Sequence, residues 1–295
     1  LMAPDAPSNR STNGSRSHVR VRKQRSCDFA MSGLSFETAV DNSFSQTLAS
    51  LTAGWCKPEN SAGKTTVFFR ADDIGVPGRN YLEMMELFDY YKLPICLALV
   101  PAWLTHSRFA AITDSLCQDF NRYSFHQHGY LHRNHELIGK KQEFGPSRTH
   151  EQLNSDLTRG KARLEQIAGP NFLPVFTPPW NRCSAHCLNS LASLGYVGLS
   201  RFSGASPAIP PGLHDLSVGL DLHTRKADNP DKDLTLFLTQ LKKGLSDQHL
   251  GIMLHHQRMD RKSFVVLDSL LKVLSASNRI EFATFHDLVH PRTTK

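Results

Sequence analysis

The sequence predicts an α/β fold, a parallel sheet with helical crossovers that is TIM-like if closed into a barrel, and three observations predict it. Short β-rich apolar runs alternate with runs of helical period from residue 65 to residue 289. About seven strands are separated by helices in this way, the pattern of a parallel sheet. They carry no repeated sequence unit. The chain has 295 residues, 40% hydrophobic and 21% charged, which suits a folded chain with a substantial core rather than a disordered or fibrous one. No apolar run approaches the roughly 18 residues needed to cross a bilayer.

The elements follow in order. Residues 34–54 carry Leu34, Phe36, Ala39, Val40, Phe44, Leu48 and Leu51 at helical spacing, predicting an N-terminal helix before the break at Gly63 and Lys64. Thr65–Ala71 reads as a strand, Tyr81–Tyr91 as a helix, Ile95–Val100 as a strand and Arg108–Gln118 as a helix. A strand near Tyr123–His126 leads to a long helix over about Glu151–Ile167, then a strand at Phe172–Phe176. A helix near Ala185–Leu194 and a short strand at Tyr196–Leu199 come next. Ser203–Leu213 holds three prolines and two glycines and reads as a loop. The remainder is an apolar run (Leu216–Leu222), a helix (Asp233–Leu245), a strand (Gly251–Leu254), a helix (Lys262–Ala276) and a closing strand and helix over Ile280–Val289. The division expected is a basic tail over 1–30, a helix and linker over 31–62, and a barrel over 63–295.

The net charge is +7, but residues 1–26 carry six basic side chains and one acid, leaving only +2 for the rest. That tail is rich in Ser, Asn, Arg and Pro without apolar period, so it is expected to be disordered. It accounts for most of the charge, and specific nucleic-acid binding is not expected of the folded part. No secretory leader pattern is visible, which points to a cytoplasmic location. The six cysteines (Cys27, Cys56, Cys96, Cys117, Cys183, Cys187) lack paired scaffold spacing and read as free thiols. Cys183, His186 and Cys187 have neither the zinc nor the haem spacing and read as structural.

Chemistry-bearing residues in such a barrel belong at the C-terminal ends of strands. Asp72 and Asp73 follow the first strand; neighbouring side chains of an extended segment point apart, but at a strand-to-loop transition both can reach one pocket. Taken alone the pair also fits a turn. Four histidines, His126, His128, His132 and His135, fall within ten residues after the third strand. If a helix starts there, His128 and His132 share a face and can hold one metal. Thr177-Pro178-Pro179-Trp180 follows the next strand; the prolines stiffen the backbone and leave the Trp180 N–H a free, rigid donor suited to an oxyanion. His255-His256 follows Gly251–Leu254, and at least one of the two should face the mouth.

This order of motifs, over about residues 65–290, resembles the polysaccharide deacetylases of carbohydrate esterase family 4. The resemblance implies a distorted (β/α)7 barrel and a metal-dependent hydrolase that removes N-acetyl groups from a carbohydrate. It implies that Asp72 is the general base and that Asp73, His128 and His132 bind the metal, Zn2+ or another divalent transition metal. Leu254-x-His256 matches the motif of the general-acid histidine, with His255 as rival by one register. Asp221 matches the acid that tunes that histidine, with His223 as an alternative. Two departures stand out. Ile74 displaces the glycine that usually follows Asp-Asp, and Thr177 replaces an arginine that braces the base in the family, so either Arg70, Arg182 or Arg201 substitutes or the base titrates differently. The partner implied is an N-acetylated carbohydrate.

Competing readings are an Fe(II) oxygenase using the two-histidine, one-carboxylate triad, a metal-dependent amidohydrolase of a small C–N substrate, a glycosidase and a non-catalytic carbohydrate-binding barrel. The strand–helix alternation speaks against the oxygenase, and a glycosidase has no need of the histidines.

Overall fold

Ten residues, Thr65–Ile74, form β1, and this strand organises the rest of the molecule. The structure is a computed structural model and describes residues 46, 48, 50, 64–117, 119–222 and 230–291. The basic tail, most of the segment 31–62 and His223 lie outside the described residues. Of the expected N-terminal helix, Gln46, Leu48 and Ser50 are helical, and Leu48 is buried in the main core.

In chain order β1 is followed by α1 (Arg79–Tyr90), β2 (Ile95–Leu99), α2 (His106–Asp114), β3 (Tyr123–His128), α3 (His150–Ala168) and β4 (Phe172–Thr177). Then come α4 (Ala185–Ser193), β5 (Gly198–Leu199), β6 (His214–Asp215), β7 (Leu220–Asp221), α5 (Pro230–Ser246), β8 (His249–Leu254), α6 (Arg261–Ser275), β9 (Ile280–Phe282) and α7 (Phe285–Val289). Every pairing is parallel, in the order β6-β5-β4-β3-β2-β1-β8-β7, with β9 joined to the first residues of β1.

The sheet curls into a distorted TIM-like barrel. Residues 214–222 bridge its two ends: the Leu216 amide bonds to the carbonyl of Leu199, while the amides of Gly219 and Leu222 bond to carbonyls of Gly251 and Met253. One extended segment is thus hydrogen bonded first to the β5 side and then to β8.

Side-chain alternation fills both faces, as a strand period of two requires. Val67, Phe69 and Ala71 of β1 pack with α1, α5 and α6 residues such as Phe88, Leu241 and Leu270. Phe68 faces the other way, into a cluster with Cys96, Val175, Val218 and Met253 from other strands. Phe285 of α7 closes this inner layer, with ring centroids 5.3 Å from Phe68 and 4.8 Å from His126. Gly251 is required by this packing, since a Cβ there would lie 2.3 Å from the Phe68 ring and 2.6 Å from the Ser217 carbonyl.

Helix boundaries follow from local chemistry. Thr149 and Gln152 make a capping box at the start of α3, and Thr284 and Asp287 do so for α7. Thr105, Ser184 and Asp260 cap α2, α4 and α6. One expectation fails. No helix begins at His128, which ends β3; residues 129–149 form a long loop, so His128 and His132 do not share a helical face. Gly129 and His132, both at positive φ, break the helical path there. Among the described residues no helix is long and apolar enough to cross a membrane.

Candidate metal centre and active site

Phe68, Arg70 and Asp72 alternate along β1, so the inward face changes from aromatic packing to a buried ion pair as the strand approaches its C-terminal end. Asp73 would point away if the strand continued regularly. Instead its φ is +63°, and the register against β2 shifts between Ala71 and Ile74. This bulge brings the second carboxylate to the same mouth as the first.

There Asp73 meets His128 and His132. The Nε2 atoms of the two histidines lie 3.2 and 3.0 Å from Asp73 Oδ1, yet no hydrogen bond is made to that buried oxygen. One ligand atom from each of the three residues lies within 4.8 Å of the others, and no other such group is found among the described residues. His128 Nδ1 is 3.0 Å from the Thr177 carbonyl oxygen, a contact that places the proton on Nδ1 and leaves the Nε2 lone pair aimed at the cluster. Two imidazole nitrogens and a carboxylate are a donor set suited to a divalent transition metal.

The electrostatics agree. Burial alone would raise the Asp73 carboxyl, but the two imidazoles against it pull it well below the ordinary carboxylate range. Burial alone would lower His128, and the Asp72 and Asp73 carboxylates reverse that and raise it. Carboxylates that hold a proton on an adjacent imidazole favour a cation in its place.

Asp72 is held by Arg70, with Nε donating to Oδ1 at 2.8 Å and Nη2 to Oδ2 at 2.9 Å. The remaining guanidinium donors reach Ser200 Oγ and Asn181 Oδ1, both at 2.7 Å, so this fully buried cation is satisfied on several sides. Of the three arginines considered, Arg70 is therefore the one that braces Asp72. Arg182 instead donates to the Lys141 carbonyl, and Arg201 to the Pro207 carbonyl and the Cys183 sulfur. Thr177, in place of the expected arginine, bonds His126 through Oγ1 at 3.0 Å while its carbonyl orients His128.

The histidine pair divides. His255 stands between two acids, with Nε2 3.9 Å from Asp72 Oδ2 and Nδ1 3.8 Å from Asp221 Oδ1. His256 is buried with its ring edge-on to Tyr81, and burial pushes it down to about 4. Trp180 has φ +56° and its ring lies 4.7 Å from that of His132, with Trp103 on the His132 ring as well at 5.5 Å. The amides of Asn181 and Arg182 bond back to Pro178 and Pro179, whereas the Trp180 amide has no such partner among the described residues.

Glu143 was not legible as a site residue. Its buried carboxylate, raised by burial, accepts from the amides of Tyr130 (3.2 Å) and Leu131 (2.6 Å), fixing the turn that leads from His128 to His132. A lone glutamate fifteen positions after a strand end carries no local mark of that task. Cys96, Cys183 and Cys187 are free, as expected, and Cys183 and Cys187 belong to a hydrophobic cluster rather than to a metal site.

No protein-family model and no curated protein matches the sequence. Solved structures do. A Mycobacterium smegmatis protein designated a candidate polysaccharide deacetylase superposes with a TM-score of 0.58 at 17% identity, over 79% of this chain and 91% of that one. A family 4 acetyl xylan esterase from Clostridium thermocellum, in complex with a cobalt ion, gives 0.50 at 15% identity, over 76% and 90%. A mutant of a carbohydrate esterase family 4 pseudoenzyme gives 0.51 at 12% identity, over 78% and 68%. The chain has the fold of these proteins.

Proposed function

We propose that the chain is a divergent, metal-dependent deacetylase acting on an N-acetylated carbohydrate. One observation carries the reading: the Asp73–His128–His132 cluster lies at the barrel mouth beside a second carboxylate, Asp72, that is braced by a buried arginine and approached by His255. The fold shared with the deacetylase and the acetyl xylan esterase supports it.

Asp73, His128 and His132 would hold the divalent ion, which supplies an acidified water and polarises the acetyl carbonyl when bound. Asp72 accepts a proton from the attacking water, its orientation fixed by the two-toothed Arg70 contact. The Trp180 amide donates to the oxygen that becomes negative as the carbonyl is attacked. His255, held between Asp72 and Asp221, donates a proton to the departing nitrogen, so that acetate and a free amine result. Assigning that step to His255 rather than His256 follows from position, since His256 is turned onto Tyr81.

The pseudoenzyme among the fold neighbours favours a second reading, a carbohydrate-binding barrel without turnover. Retention of both acids and both metal-cluster histidines counts against it. The test is metal content by mass spectrometry together with acetate release from N-acetylglucosamine oligomers, on the parent and on Asp73→Ala/His128→Ala. About one equivalent of divalent metal and acetate release, both lost in the variant, are expected. Metal without acetate release would leave binding or a small C–N substrate. A parent that takes up no metal when supplied with it would end the reading.

A further inference from the structure

The loop that contributes His132 also carries a feature the catalytic reading does not use. Leu137 and Ile138 are 98% and 91% exposed, adjacent, and the two most exposed large apolar side chains among the described residues. Their stem is built rather than loose. The His135 amide bonds to the Gln142 carbonyl at 2.9 Å, and Asn134 Oδ1 accepts from the amides of Glu136 and Gln142 at 3.2 and 2.9 Å. Glu136 in turn accepts from the Ser147 amide at 3.2 Å and its hydroxyl at 2.5 Å.

The charges around the tip are sorted. Arg133, Lys140 and Lys141 are exposed, whereas the two acids of the segment are turned away, Glu136 onto Ser147 and Glu143 into the interior on the amides of Tyr130 and Leu131. An outward surface of two aliphatic prongs flanked by three cations is complementary to a fluid apolar layer with anionic headgroups. A folded protein partner or a second copy would need a contact of about 1,600 Å² in total, far more than two projecting side chains offer.

We propose that the Leu137–Lys141 tip docks the protein on an anionic lipid surface, with Leu137 and Ile138 entering the acyl boundary and Lys140 and Lys141 on the headgroups. The loop starts at His128, at the end of β3 that bears the metal cluster, so docking would bring the barrel mouth to the surface. The inference does not rest on the deacetylase reading.

The experiment is co-sedimentation of the full chain with phosphatidylcholine vesicles, with and without phosphatidylserine, at physiological ionic strength. Parent, Leu137→Ser/Ile138→Ser and Lys140→Ser/Lys141→Ser are compared, with melting temperature and far-ultraviolet circular dichroism as controls for folding. The basic residues Arg10 to Arg25 are common to all three proteins, so differences report on the tip. The expected result is binding of the parent to phosphatidylserine vesicles that falls at least about tenfold in each variant, with melting temperature and circular dichroism retained. No binding by the parent, or binding unchanged in the Leu137→Ser/Ile138→Ser protein, would overturn the proposal. Self-association lost in that variant, without vesicle binding, would assign the tip to a second copy and overturn it equally.

Discussion

Arg70 and Asp72 are two positions apart on β1, so their side chains leave the strand on one side and meet as a fork on a carboxylate. Removing the fork leaves a buried charge alone. Arg70→Gln is expected to cost about 3–5 kcal/mol in denaturant unfolding and to reduce acetate release by about 10²-fold or more. Arg70→Lys keeps the charge without the two-point geometry and should fall between parent and Gln variant. The histidine pair makes a second residue-scale prediction. His255→Gln should lower turnover by about 10²- to 10⁴-fold with metal content intact. His256→Gln should keep most of the turnover and lose stability instead, because its ring is packed on Tyr81. Equal effects of the two substitutions on turnover would refute the division of roles.

At the scale of elements, the Asp73–His128–His132 cluster is brought together by a loop rather than a helix. Gly129 turns the chain out of β3 at φ +59°, and a Cβ there would lie 2.1 Å from Glu143 Oε2 and 2.5 Å from Pro179 Cγ. Both the backbone conformation and the space require glycine. Gly129→Ala is therefore expected to displace the Tyr130–Leu131 turn from Glu143 and weaken metal binding by about 10- to 100-fold, read by metal titration. The barrel strands should keep their melting transition to within a few degrees, since Gly129 itself belongs to none of the hydrophobic clusters. Asp73 is the same kind of case: a single residue in the left-handed region re-aims a carboxylate that a regular strand would turn away.

For the whole molecule, burial of neutral histidines couples the fold to pH. His126 and His256 are both held down by burial, His256 to about 4, against about 6.5 for an unconstrained imidazole. The unfolded chain binds protons that these sites refuse, so their stabilising contribution is full above about pH 6.5 and is lost as pH falls towards the folded value. For His256 this amounts to about 3 kcal/mol. His128 in the metal-free protein has the opposite sign, its raised affinity for a proton stabilising at low pH and fading as pH rises. Thermal unfolding of chelator-treated protein between about pH 7 and about pH 5 should show falling stability, with a shallower slope in His256→Gln. A slope unchanged by that substitution would contradict the assignment.

The order of strands and helices and the apolar faces of the two-sided core are legible in the sequence alone, and the resemblance in motif order adds Asp73 to His128 and His132 as the expected ligand set. These are legible because periods of 2 and 3.6 are local, and because ligands placed after strands fall at one end of a parallel barrel. The fold adds what no local pattern carries: Ser200 and Asn181 hold the Arg70 guanidinium beside Asp72, His255 rather than His256 stands between the acids, and a glutamate at 143 holds the loop of His132. The spacing of two between Arg70 and Asp72 is local, but the groups that hold the fork, the setting of His255 and the reach of Glu143 depend on contacts between segments apart in the chain. Arg70 meets Ser200 across 130 residues, and the fate of His255 turns on where β8 ends beside β1 and β7. No local period encodes such a register; it is fixed when the strands close around a shared interior.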